Sequence, residues 1–267
     1  MTAALGAPFI EFSGVRKAFG KKVIYDDLTL RVRRGETLTL LGGSGSGKSV
    51  LLKLLIGLVR PDSGSIRFDG QELTTLSEDA LLPVRRRISM LFQGGALFDS
   101  LSVGENVAYP IREHMHLGEH EIAERVADKL RLVDLPGIES MRPAELSGGM
   151  RKRVAIARAI AADPEVLLYD EPTTGLDPIT TRRINELILS IQRELRVTSL
   201  VVTHDLPSAF MVSDRIAMLS ERRVLAELPR DEFRTSPEPA IQSFVNAMSL
   251  SVSTPAAARA AGQGALP

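Results

Sequence analysis

An α/β fold with a mostly parallel sheet, organised around a phosphate-binding loop, is what this 267-residue sequence predicts. Three observations carry that expectation. Residues 42–49 read G-x-x-x-x-G-K-[ST], directly after an apolar run at 36–41 and directly before an apolar helical pattern at 50–58. Residues 166–171 are an all-apolar run ended by two acids, Asp170 and Glu171. A third apolar run, 199–203, ends at His204. Continuous apolar strands separated by helical segments belong to a sheet covered on both faces.

The loop is the centre of the functional reading. Gly42, Gly43, Ser44, Gly45, Ser46 and Gly47 are small enough for successive backbone N–H groups to turn inward, toward an anion at the positive end of the following helix. Lys48 then reaches the β- and γ-phosphates of a nucleotide, and the Ser49 hydroxyl is placed to ligate Mg²⁺. A glycine-rich turn that binds nothing is the alternative, and the strand before the motif and the helix after it argue against that.

Ahead of the loop, short runs at 9–12, 15–19, 23–25 and 28–32, broken by Gly14, Gly20 and the Asp26-Asp27 pair, read as antiparallel strands. Phe19 lies among them and, as an isolated aromatic, is expected in the core. Residues 60–64 form a turn and 65–68 a strand. The run Arg85-Arg86-Arg87 reads as a solvated face before the strand 88–92. That strand delivers Gln93 at its end, where open α/β sheets make ligand contacts. From 94 to about 143 helical patterns take over, clearest at 119–132 with Ile122, Val126 and Leu130 spaced by four. His114, His116 and His120 fit no familiar ligand spacing.

Ser147 is the expected N-cap of a helix reaching about residue 162, and Gly148 and Gly149 leave amides uncovered at its start, a second anion site. Asp170 is the natural Mg²⁺ partner and Glu171 the natural base. His204 alone has a structural reading too, but Gln93, the two acids and His204 all end strands on one rim. A long helix is expected at 179–196, two short strands at 215–219 and 224–228, and a last helix at 239–248. Ile241, Phe244, Val245 and Met248 give that helix one apolar face, which packs on its own subunit by default.

Composition narrows the classes. With 33 basic and 33 acidic residues the net charge is zero, so no nucleic-acid partner is suggested. Cysteine is absent, excluding disulfides and thiol catalysis. No leader pattern and no uncharged apolar run of about 18 residues appear, so a membrane role is expected to come through a partner.

The ordered set of phosphate loop, Gln93, the signature Leu146-Ser147-Gly148-Gly149-Met150, the acidic strand, the Gly175-Leu176-Asp177 loop and His204 resembles the nucleotide-binding subunit of ATP-binding cassette (ABC) transporters. The likeness runs over about residues 9–247. It implies a RecA-like mixed-sheet core, an antiparallel β subdomain and a helical subdomain at about 94–162; the end of the chain, 248–267, rich in small residues and without an apolar period, is expected to be a flexible tail. Two positions depart from the commonest pattern, Met150 in place of Gln and Gly175 in place of Ala, and neither side chain is needed to hold phosphates. The resemblance moves Phe19 to the adenine-stacking position. It implies that Gln93 helps complete Mg²⁺, Asp170 binds the metal through water, Glu171 polarises the attacking water and His204 contacts the γ-phosphate. Ser147, Gly148 and Gly149 would cover ATP held by a second copy, giving a homodimer with two composite sites.

More narrowly, residues 43–52 and 92–107 resemble the ATPases of Mla/Mce-type phospholipid transport systems. That implies ATP hydrolysis serving lipid transport and outer-membrane asymmetry, from the cytoplasmic face of the inner membrane. The implied partners are an integral membrane permease, a periplasmic lipid-binding MCE protein and a small cytoplasmic STAS-domain protein. C-terminal extensions in that group reach the neighbouring subunit, so the breaker run 236–239 followed by the last helix is expected to serve assembly.

Overall fold

The computed structural model describes residues 7–252, with side chains to residue 246; readings made on the tail beyond 252 lie outside the described residues. The chain begins with two long antiparallel strands, β1 (Ile10–Phe19) and β2 (Lys22–Val32). Each joins two of the runs that the sequence separates. A register shift between Phe12 and Val15 lets one strand bend where Gly14 suggests a break. Together with β4 (Ser63–Phe68) and β5 (Gln71–Glu72) they form a four-stranded sheet.

The second sheet contains β3 (Thr37–Leu41), β6 (Ile88–Leu91), β7 (Val166–Asp170), β8 (Thr198–Thr203), β9 (Arg215–Ser220) and β10 (Arg223–Pro229). Their order is β10-β9-β3-β8-β7-β6, parallel throughout except where β10 returns antiparallel to β9. Side chains alternate between two cores. Leu38, Leu40, Val166, Leu168, Leu200 and Val202 face the smaller sheet and α1 (Lys48–Leu55). Leu167, Tyr169 and Val201 face the opposite side, which the helices cover. Burial on both faces explains why these strands carry no polar alternation.

The helices number nine among the described residues. After α1 come α2 (Glu78–Arg87), α3 (Val103–His114), α4 (Glu119–Leu132), α5 (Gly148–Ala159), α6 (Pro178–Leu195), α7 (Leu206–Val212), α8 (Arg230–Thr235) and α9 (Pro239–Val252). The three helices α3, α4 and α5 fill the segment between β6 and β7 and pack on one another through Val107, Ile111, Ile122, Val126 and Val154. Three helices are absent from the sequence reading, α2, α7 and α8, while α3 falls within the 94–143 stretch read as helical without being singled out. The α2 helix also corrects the reading of the arginine run. Arg85 donates to the carbonyls of Ile56 and Gly57, at 2.8 and 3.4 Å, and Arg87 pairs with Asp69 and Glu165; only Arg86 is exposed.

The last helix departs from expectation as well. It extends to Val252, into the segment read as a tail, and Ile241 is fully buried against Leu41, Leu206, Ile216 and Phe233 of its own subunit. Phe244 and Val245 pack on the same cluster while partly exposed. The side chain of Met248 lies outside the described residues. Beside β9 and α8 the apolar cluster of Leu206, Ile216, Met218 and Phe233 takes in the start of α9. Ile241→Ala should therefore destabilise the single subunit by about 2–5 kcal/mol in urea denaturation. A loss below about 0.5 kcal/mol, the range of ordinary surface changes, would place the helix elsewhere.

Candidate active site

The parallel strands β3, β8, β7 and β6 release their C-terminal ends on one rim, and the loops leaving them meet around a cleft of about 420 Å³. Its lining includes Phe19, Ser44, Gly45, Gly47, Lys48, Ser49, Gln93, Glu171 and His204. Residues from five separate segments thus share one cavity.

The phosphate loop is shaped for an anion. Gly47, at φ +109°, takes a conformation that side-chain-bearing residues avoid, and a Cβ there would stand 2.6 Å from Ile24 Cγ2. Its carbonyl accepts hydrogen bonds from Tyr25 Oη, at 2.7 Å, and from the Val50 amide, at 2.7 Å. Among the described residues the amides of Ser44, Gly45 and Gly47 meet no acceptor, and Ser46 Oγ is buried without a partner. Donors left open at a helix N-terminus fit a phosphate chain.

Lys48 is buried and donates to the carbonyls of Gly42 and Gly43 at 2.9 and 3.0 Å, with its Nζ 3.4 Å from Glu171 Oε1. The Ser49 hydroxyl donates to Asp170 Oδ1 at 2.7 Å. A hydroxyl and a carboxylate in contact, with the Gln93 amide on the same cleft, form a hard oxygen donor set of the kind Mg²⁺ takes. Burial pushes the Asp170 carboxyl up and the neighbouring Glu171 charge adds to this, against the Ser49 hydrogen bond, Lys53 and Lys48.

Glu171 sits one residue beyond the end of β7 in the left-handed region, φ +48°. A non-glycine residue there carries strain of order 1–3 kcal/mol, a cost often found at functional positions. The turn directs its carboxylate back toward the loop. Oε2 lies 2.9 Å from His204 Nδ1, 3.2 Å from Thr203 Oγ1 and 3.3 Å from Thr174 Oγ1. Burial is the largest single influence and raises the carboxyl, but the hydrogen bonds and charges of His204 and Lys48 outweigh it and hold it below the usual range. The group is ionised at neutral pH and can accept a proton or orient a water.

Phe19 is 49% exposed at the edge of the cleft, outside the core that an isolated aromatic suggests. Gln93 reaches the lining from the end of β6, and its backbone carbonyl accepts a hydrogen bond from buried Lys152. Sequence reasoning missed Tyr25, Thr174, Thr203 and Lys152. None lies in a recognisable motif, and only neighbours distant in the chain give each its place.

The lining of this cleft, among the described residues, includes none of Ser147, Gly148 and Gly149. Ser147 caps α5, accepting from the Met150 amide at 3.2 Å, and the start of that helix packs on the start of α6. The approach is close enough that a Cβ on Gly149 would stand 2.7 Å from Thr180 Cγ2. Thr180 Oγ1 is meanwhile held by Asp177 Oδ2 at 2.5 Å, the N-cap of α6. Gly149→Ala should lower stability by about 1–3 kcal/mol. Adding Thr180→Ser removes the clashing methyl and keeps the hydroxyl, and should return most of that loss in thermal melts; a purely additive double variant would refute the contact.

The family model described as ABC transporter matches residues 25–174. A relative from Haemophilus influenzae named "Intermembrane phospholipid transport system ATP-binding protein MlaF" is 43% identical over 88% of this chain and 89% of its own. The Mycobacterium leprae protein named "Probable ribonucleotide transport ATP-binding protein mkl" is 45% identical over 89% of this chain, which spans 68% of that protein. For the Mycobacterium tuberculosis protein of the same name the chain spans 66%. Among solved structures, the dimeric ATP-binding cassette MJ0796 in a post-hydrolysis state, bound to ADP and Pi, superimposes with a TM-score of 0.76 at 31% identity, covering 83% of this chain and 98% of that one. A phosphate loop, an acidic strand end and these likenesses agree, and the chain belongs to the ABC transporter family, as an ATPase of the P-loop cassette fold.

Proposed function

We propose that this ATPase energises phospholipid movement between membranes, using the cleft above as its hydrolytic site. The observation that carries the catalytic part is the Glu171 carboxylate, ionised and aimed at the phosphate loop by His204, Thr203 and Thr174. In this reading the loop amides and Lys48 bind the β- and γ-phosphates, Phe19 stacks on the adenine, and Glu171 accepts the proton of the attacking water. His204 holds Glu171 and faces the γ-phosphate. Ser49, Asp170 and Gln93 would hold Mg²⁺, which when bound neutralises charge developing on the phosphate oxygens.

Ser147, Gly148 and Gly149 lie away from the cleft, which favours their use on a second copy's nucleotide. The dimeric state of the MJ0796 cassette supports the same arrangement. Closure of two copies would then add donors that stabilise the transition state only in the assembled site. No described helix is long and apolar enough to cross a membrane. Attachment to the cytoplasmic face of the inner membrane would come through an integral permease, with an MCE protein and a STAS-domain protein as further partners. The boundaries we assign are an ATPase domain at 9–247 with its helical subdomain at about 94–162. The phospholipid reading rests on the match to nearly the whole length of the MlaF relative, whereas the ribonucleotide-named relatives extend well beyond this chain.

Glu171→Gln should keep ATP affinity and lower turnover by roughly 10²–10⁴-fold, the usual contribution of a general base. Lys48→Ala should instead weaken ATP binding by roughly tenfold or more, since it removes a charge-assisted hydrogen bond. Near-normal turnover in the first variant, or unchanged affinity in the second, would reverse these roles. The substrate is tested by purifying the membrane complex and measuring bound lipid by mass spectrometry before and after ATP addition. Phospholipid released or loaded only with hydrolysable ATP is the expected result. A complex that retains no lipid but binds a ribonucleotide as transported solute would replace the reading.

A further inference from the structure

One face of α5 fastens the backbone that follows Gln93. Lys152, Ala155 and Arg158 are spaced by three along the helix and so share a side. Lys152 Nζ donates to the Gln93 carbonyl. Ala155 Cβ is 3.4 Å from where a Cβ on Gly95 would stand. Arg158 donates to the carbonyls of Gly95, at 2.9 Å, and Ala96, at 2.8 Å. Gly95 and Ala96 both have positive φ, +78° and +47°, which keeps these carbonyls turned toward the helix. Three of four successive carbonyls, 93, 95 and 96, therefore end on two cations of one helix. Lys152 is also buried, 7% exposed; burial pulls its ammonium below the usual range, and the charges of Asp170 and Glu171 at the end of β7 offset this in part.

The same helix begins at Ser147, Gly148 and Gly149. Lys152 stands five residues from Ser147, about 7.5 Å of helix rise. A rigid element of that length transmits displacement of its N-terminus directly to the groups bound further along.

Resting on the assignment of Gln93 and the Ser147 segment above, we infer that Lys152 is a positioning residue, aided by Arg158, that sets Gln93 against the acidic end of β7 from the helix bearing the second anion site. Engagement of Ser147, Gly148 and Gly149 by a partner's nucleotide then shifts Gln93 in the subunit's own cleft. The link needs no side chain of Gln93, because the clamp holds its backbone.

The test uses the full-length chain, alone and with its co-purified membrane partner. Without nucleotide or metal, amide hydrogen exchange is followed at Gly95, whose N–H donates to Phe92 at 2.8 Å, and at Phe98, whose N–H donates to Asn106 at 2.8 Å. Lys152→Met should accelerate exchange at Gly95 by roughly tenfold while α5 itself and Phe98 stay protected. In steady-state hydrolysis it should raise the Mg²⁺ concentration for half-maximal rate and lower kcat by roughly tenfold, as loss of a supporting partner does at metal sites, with the KM for ATP little changed. Lys152→Arg should recover most of both effects. Lys152→Met combined with Gln93→Ala should be no worse than Gln93→Ala alone, because one acts through the other. Unchanged exchange at Gly95, or additive losses in the double variant, would overturn the inference. If Lys152→Met melts well below the parent chain, Lys152→Gln and Arg158→Lys supply the same comparison, with the same two results deciding it. A wild-type complex whose turnover is insensitive to Glu171→Gln would instead refute the catalytic assignment, a separate failure that leaves the exchange result standing.

Discussion

Two opposite charges buried at one end of a sheet hold the rest of this molecule to its arrangement. Lys48 Nζ stands 3.4 Å from Glu171 Oε1, and their side chains are 6% and 11% exposed. Buried charges need partners, and each has more than one: Lys48 also donates to the carbonyls of Gly42 and Gly43, and Glu171 also meets His204, Thr203 and Thr174. The pair dictates that β3 and β7 lie within reach across β8, that α1 begins at Lys48, and that the chain turns sharply at Glu171. The left-handed backbone at Glu171 is the local cost of that turn. The contacts from His204, Thr203 and Thr174 then over-determine it.

The opposite rim of the same sheet is held by a different set of charges. Arg34 precedes β3, Arg87 ends α2 just before β6, and Glu165 precedes β7; with Asp69 at the end of β4 they form a four-membered network. Arg34 lies over the Phe9 ring at 3.7 Å and Arg87 over Phe68 at 4.5 Å, so the guanidinium planes also cover the edge of the smaller sheet. Single exposed ion pairs contribute little, but a shared network anchored on aromatic faces constrains how the two sheets meet. Charge therefore serves structure at one end of the strands and is available to a ligand at the other.

What was legible and what was not divides along physical lines. The strands buried on both faces announce themselves because nothing polar is tolerated in them. The missed helices are interrupted or short. Pro83 interrupts α2 and its arginines mask its periodicity. The helices α7 and α8 are seven and six residues long, too short for a period to show. The arginine run looked solvated because charge is normally exposed; its carbonyl and carboxylate partners come from Ile56, Gly57, Asp69 and Glu165, which no local window contains.

By itself the sequence determined the phosphate loop, the acidic strand end, the histidine at the end of the next strand and the mixed α/β class, since each is a local pattern whose chemistry is set by residue type and spacing. Only the tertiary structure decided which groups touch. It turned Glu171 onto Lys48 and His204, exposed Phe19 beside the loop, set Tyr25 beneath Gly47, and tied Gln93 to Lys152 59 residues away. It also placed Ile241, Phe244 and Val245 of α9 on a cluster of their own subunit. A contact between distant residues depends on how sheets and helices pack, and packing is a property of the whole chain that no single stretch encodes.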